Sequence, residues 1–124
     1  MNKICTSLEQ SQKLIELRID RNTADMYYTS EHSTPSIMTG AKSDYSSYVP
    51  AWSLAALLDI LPNNEVTTTT VTRGGWNSET AKYLDIWFAD YETEKHDNDF
   101  TLSADTPLDA AFELVCLLKE KGKI

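Results

Sequence analysis

The fold turns on the stretch Lys82-Tyr83-Leu84-Asp85-Ile86-Trp87-Phe88-Ala89-Asp90-Tyr91. Side chains of an extended chain alternate between two faces. Leu84, Ile86 and Phe88 therefore share one face, and Tyr83, Asp85, Trp87, Ala89 and Tyr91 share the other. Aromatic and β-branched composition agrees with that alternation and predicts a strand over 82–91. Both faces carry large side chains. Either helices cover both of them, or an aromatic face made of Tyr83, Trp87 and Tyr91, with Trp76 beside it, meets solvent.

On the C-terminal side, polar residues 92–98 predict a turn, and Phe100 to Ala104 a further strand. Asp105 or Thr106 then caps a helix with Pro107 near its first position, where the missing N–H costs nothing. Leu108, Ala111, Phe112, Val115 and Leu118 form its apolar stripe, widened by Ala110, Leu114 and Leu117. Lys119 and Lys121 suit the negative helix end, and Gly122 suits the left-handed position beyond it.

On the N-terminal side, Val66 to Arg73 is β-branched almost throughout and contains four consecutive threonines. That is too polar for a central strand, so an edge or one-sided strand is expected, followed by a turn at Gly74-Gly75. The three strand runs predict an antiparallel meander. Before them, Ser53 caps a helix over 53–61 stopped by Pro62; only Asp59 is polar in it, so burial on most sides is expected. Residues 30–49 read as a long polar loop, with a short strand around 36–39 or 45–49. Met26 to Thr29 reads as a short strand. Residues 7–18 read as a helix whose capping box is Thr6 with Glu9. The whole predicts one α+β domain over 1–124: three helices packed on a small, mainly antiparallel sheet of three to five strands.

Composition narrows the function. The chain has 124 residues, 19 acids against 11 bases, and a net charge of −8. No basic surplus exists for phosphate neutralisation or for a polybasic membrane anchor, so direct nucleic-acid and membrane roles are not expected. No apolar run approaches the roughly 20 residues that span a bilayer. The N-terminal residues carry no signal-peptide pattern. The two cysteines, Cys5 and Cys116, form no disulfide framework, and a cytoplasmic location is expected. Most of the acidity is local: 85–105 holds seven acids and one lysine.

The segments Thr23-Ala24-Asp25-Met26-Tyr27-Tyr28, Pro50-Ala51-Trp52-Ser53-Leu54 and Thr106-Pro107-Leu108-Asp109-Ala110-Ala111-Phe112-Glu113 resemble a group of uncharacterised small acidic proteins carried on bacterial phage and mobile elements. The likeness covers most of the chain, in the same order. Its motifs are caps, a strand start and helix faces. It implies an accessory protein of a mobile element and carries over no catalytic residue.

Chemistry-bearing residues are sparse. His32 and His96 stand beside no nucleophile in sequence, and no Gly-x-Ser-x-Gly elbow is present. Asp90, Glu92, Glu94, His96, Asp97 and Asp99 invite a metal reading. Counted from Asp97, however, a calcium loop would need glycine where Leu102 stands and glutamate where Leu108 stands. Cys5 precedes a helix start, whose dipole lowers a thiol pKa, whereas Cys116 lies among apolar neighbours. Gly74-Gly75 lacks every other element of a phosphate loop.

The expectation is a non-enzymatic protein-interaction module without a cofactor. Its protein partner would be met by Trp76, Tyr83, Trp87 and Tyr91 with the adjoining Glu92 and Glu94. The alternatives are an acidic nucleic-acid mimic that binds basic proteins, and a small metal-dependent hydrolase using His96 and nearby carboxylates.

Overall fold

A computed structural model of the chain describes residues 4–30, 33–63, 67–74, 76–77, 82–83, 87–94 and 99–124. It is an α+β protein; among the described residues are three α-helices, α1 (Leu8–Glu16), α2 (Leu54–Ile60) and α3 (Pro107–Glu120). Its strands are β1 (Met26–Tyr28), β2 (Ser36–Ile37), β3 (Val49–Ala51), β4 (Thr67–Arg73), β5 (Trp76–Asn77), β6 (Lys82–Tyr83), β7 (Trp87–Thr93) and β8 (Phe100–Ala104).

The strands do not share one sheet. They form two three-stranded antiparallel sheets, ordered β2-β1-β3 and β4-β7-β8, and a two-residue hairpin β5-β6. The short strand expected around 36–39 is present as β2, and the segment beyond the loop, Val49–Ala51, is a strand too: Met26 pairs with Ile37 on one side and with Ala51 on the other. The expected strand over 82–91 is also divided. The β4–β7 ladder runs from Thr67↔Thr93 to Arg73↔Trp87 and ends there with β4 itself. Lys82 and Tyr83 satisfy their backbone groups with Asn77 and Trp76 instead. Leu84, Asp85 and Ile86 lie outside the described residues.

The meander and its helix form the main core. Val71, Ala89 and Leu102 are cross-strand neighbours, as are Tyr91 and Phe100, whose rings stack at 5.0 Å. All five belong to the apolar core that includes Leu108, Leu114, Val115 and Leu118 of α3. Ala89 is fully buried on the central strand, and its small side chain leaves room for the helix over the sheet. Thr106 caps α3 by accepting the Asp109 N–H at 3.1 Å.

The helix α2 is less enclosed than its composition suggests. Ala56 and Leu57 are buried, but Ala55, Leu58 and Asp59 are exposed. A seven-residue helix lying on α3 has one covered side, and apolar composition by itself does not supply a second cover. Its N-cap, Ser53, accepts the Ala56 N–H and is held by the Asp25 carboxylate, which accepts from both the Ser53 N–H and its hydroxyl.

The cap of α1 sits one residue later than expected. Ser7 accepts the Gln10 N–H at 3.1 Å, and the Gln10 side chain accepts the Ser7 N–H at 3.0 Å. Thr6 is drawn inside instead. It is fully buried, with its hydroxyl accepting the Trp52 N–H at 3.0 Å and meeting the Ser11 hydroxyl at 2.8 Å.

α1 and α3 end alike. Arg18 takes φ +65, while its N–H donates to Ile15 O and that of Ile19 donates to Leu14 O. Gly122 takes φ +72, with matching bonds to Lys119 O and from Lys123 to Leu118 O. Both are Schellman ends, closed over Leu14 by the buried Ile19 in the first case. Glycine adopts the left-handed conformation freely, whereas a side chain crowds the following carbonyl at about 1–2 kcal/mol. Replacing Arg18 by glycine is therefore expected to raise stability, by up to about 1 kcal/mol after the extra entropy of unfolded glycine is subtracted. Urea unfolding measures it, and a loss of stability would show that Arg18 contributes through its side chain.

Candidate interaction surface

The meander sheet has two unlike faces. α3 covers the side bearing Val71, Trp87, Ala89, Tyr91, Phe100, Leu102 and Ala104. Strand alternation sends Thr70, Thr72, Phe88, Asp90, Glu92, Thr101 and Ser103 to the opposite side. Thr70, Thr72, Glu92, Thr101 and Ser103 are exposed there, and Phe88 and Asp90 are half-buried. The register lines up Thr70, Asp90 and Thr101, and the Thr101 hydroxyl donates to Asp90 Oδ1 at 2.7 Å. At the β7–β8 turn, Glu94 and Asp99 are exposed, and Asp99 Oδ1 accepts the Thr93 N–H at 2.9 Å.

The residues expected to meet a partner are thus separated. Tyr91 is only 5% exposed and Trp87 is half-buried, both on the helix-covered face. Glu92 and Glu94 are exposed, with Glu92 on the open face. Trp76 and Tyr83 are cross-strand partners in β5-β6; their side-chain placement lies outside the described residues. The aromatic face of β7 is the core face because the sheet has one helical cover and Ala89 sits in the middle of that face. An exposed aromatic platform built on Tyr91 is therefore excluded.

His32, His96 and Asp97 also lie outside the described residues. Among the described residues, no group of three or more histidines, cysteines or acids is arranged to hold a metal ion. No helix among them is long and apolar enough to cross a membrane.

Both cysteines are free and buried. Burial pushes the Cys5 thiol up, against the lowering expected at a helix start: the thiol is packed with Met26 and Ala51, and desolvation outweighs the dipole. The Tyr28 hydroxyl donates to Thr6 O at 2.9 Å, which commits its one proton. The Cys5 thiol is therefore the donor in its 3.7 Å contact with Tyr28 Oη. Burial raises Tyr28 to about 12 and Cys116 to about 11.

These shifts predict alkaline sensitivity. In the unfolded chain the thiols ionise near pH 9 and Tyr28 near pH 10, while the folded groups keep their protons to higher pH. Stability from these groups is complete below about pH 9 and is lost as pH climbs through 11 and 12. Denaturant midpoints should be level from neutrality to pH 9 and then fall, and the fall should be shallower in Cys116→Ala. A profile unchanged by that substitution would contradict the assignment.

Sequence reasoning missed a second cluster. Four of the six tyrosines fall between 27 and 48. Tyr27 packs between Tyr45, at 4.7 Å, and Tyr48, at 5.3 Å, bracing the segment between β2 and β3 against β1. The Tyr45 oxygen accepts the N–H groups of Thr39 and Gly40, each at 2.9 Å; a hydrogen bond with the Thr39 side chain, together with these two bonds, lowers its pKa. Beside it lies a cavity of about 310 Å³ whose walls include Asp20, Arg21, Lys42, Ser43, Tyr45 and Ser46. Tyrosine density in an otherwise polar stretch was the available signal.

No protein-family model matches this chain, and neither a curated protein nor a solved structure shows significant similarity to it.

Proposed function

We propose that the protein is a binding module without catalytic activity, and that it holds a basic protein partner on the open face of the β4-β7-β8 sheet. One observation carries this reading. The uncovered face displays Asp90 and Glu92 among threonine and serine, with Glu94 and Asp99 at its end and no lysine or arginine among its described residues. A surface of one sign attracts the opposite sign and accelerates encounter. The buried position of Tyr91 moves the reading away from the aromatic side chains and onto the carboxylates. A role as an accessory protein of a mobile element rests on the sequence resemblance alone.

The test is a pull-down with the purified protein, followed by purification of the captured partner and calorimetry at low and physiological salt. The partner should carry a basic surface, and its affinity should fall as salt rises. Replacing Glu92 and Glu94 together by glutamine should weaken binding about tenfold or more, with folding unchanged because both side chains are exposed. Equal affinity for the glutamine variant would overturn the proposal. Competition by duplex DNA for the same partner would assign the module to nucleic-acid mimicry, since the duplex and the carboxylate face would then share one basic groove.

A further inference from the structure

The cavity beside Tyr45 gathers hydrogen-bond donors in a chain dominated by acids. Arg21 Nη2 donates to the carbonyls of Ser46, at 3.3 Å, and Tyr48, at 2.7 Å. Lys42 Nζ donates to the carbonyl of Ala24 and lies 3.7 Å from Met38 Sδ. Both cations are thus positioned by neutral groups, and among the described residues neither forms an ion pair with a carboxylate. Both line the same cavity. Ser43 and Ser46 add hydroxyls to the same walls.

Tyr45 stiffens the same walls: its oxygen accepts two backbone N–H groups and also hydrogen-bonds the Thr39 side chain. Asp20 is the one carboxylate lining the cavity, and its Oδ1 accepts the Asn22 N–H at 2.9 Å.

We propose that this cavity binds an oxyanion, the phosphate or carboxylate group of a small molecule, between Arg21, Lys42 and the two serines. A guanidinium, an ammonium and hydroxyl donors around one space form the donor set that charge-assisted recognition of such groups requires. A volume near 310 Å³ leaves room for a small organic body attached to the anion. This site lies on the β1 side of the molecule and uses none of the carboxylates proposed to meet a protein partner.

Titration of the full chain with inorganic phosphate, and separately with acetate, tests it. Ionic strength is held constant with sodium chloride, and backbone amide resonances are followed. Both the assignment and the affinity are read from the amides of Thr39, Gly40, Ser43 and Ser46. Saturable movement confined to this cavity is expected, with the stronger of the two anions naming the group the site prefers. Lys42→Met, which keeps the aliphatic stem, should weaken binding about tenfold, the loss of one charge-assisted bond. Ser43→Ala, an exposed and conservative change, should weaken it by a smaller factor and guards against a folding defect in the first variant. Shifts that do not saturate, that chloride reproduces, or that persist unchanged in both variants would overturn the proposal. Pull-down of a protein partner is unaffected by either substitution, so failure here is distinguishable from failure of the binding-module reading.

Discussion

Trp52→Ala is expected to cost about 3–5 kcal/mol, the range for removing a large aromatic side chain from a packed core. Trp52 is fully buried, and its indole N–H donates to the Thr23 hydroxyl at 2.9 Å. Its backbone meets Thr6 in both directions: its N–H donates to the Thr6 hydroxyl, and its carbonyl accepts the Thr6 N–H. It directly precedes the N-cap of α2. The indole therefore secures the turn before β1 and fills the core, while the backbone of the same residue ties down the chain entering α1, a tie that the alanine variant keeps. Domains of this size are stable by only about 5–15 kcal/mol, so the variant should be partly unfolded at moderate urea. Trp52→Phe retains most of the volume and loses the hydrogen bond to Thr23, and it should sit between the two. A loss under about 1 kcal/mol for the alanine variant would mean the cavity collapses or fills with water, and that Trp52 is not the anchor described.

Thr6→Val should cost about 2–4 kcal/mol although it preserves shape, because stranding a buried polar group costs about 1–3 kcal/mol each time. The valine leaves the Trp52 N–H and the Ser11 hydroxyl without their partner. Ser11 is fully buried, so water cannot readily replace it. Ser11→Ala removes one stranded group, and the double variant should lose less than the sum of the single losses. Additive losses in urea or thermal unfolding would show that the two hydroxyls act independently. The same residue explains why the cap of α1 sits at Ser7: a hydroxyl committed to Trp52 and Ser11 is not available to the helix N-terminus.

Much of the secondary structure is legible from local chemistry. The threonine before α3 and the proline at its first position, the serine before α2, Gly122 after α3 and the β-branched run of β4 all act within a few residues of themselves. The misread features are those where a distant residue competes. The strand expected around 36–39 exists as β2, but 49–51 is a short, proline-containing strand whose pairing depends on β1, which has neighbours on both sides. Arg18 adopts a left-handed conformation usually left to glycine, because the burial of Ile19 over Leu14 compensates the strain. Cys5 follows burial, not helix polarity.

The candidate site divides the same way. Period-two alternation in β7 already separated Trp87, Ala89 and Tyr91 from Phe88, Asp90 and Glu92. It could not say which set faces the helix, since both contain large apolar side chains. The cavity near Tyr45 was illegible for a different reason: Arg21 and Lys42 are 21 residues apart, and each is aimed by carbonyls from other parts of the chain.

By itself, the sequence determined the class of the protein, its helices, the ends of α2 and α3, the antiparallel meander and the concentration of acid between 85 and 105, because periodicity, caps and charge are properties of neighbouring residues. Only the tertiary structure decided that the strands divide into two sheets, that the aromatic side of β7 is the inside, and that the carboxylates are what this sheet presents to solvent. The physical reason is the single helix over the meander. With α3 on one side, burial of Ala89 and Tyr91 there outweighs any cover for the other side, and alternation leaves Asp90 and Glu92 facing outward.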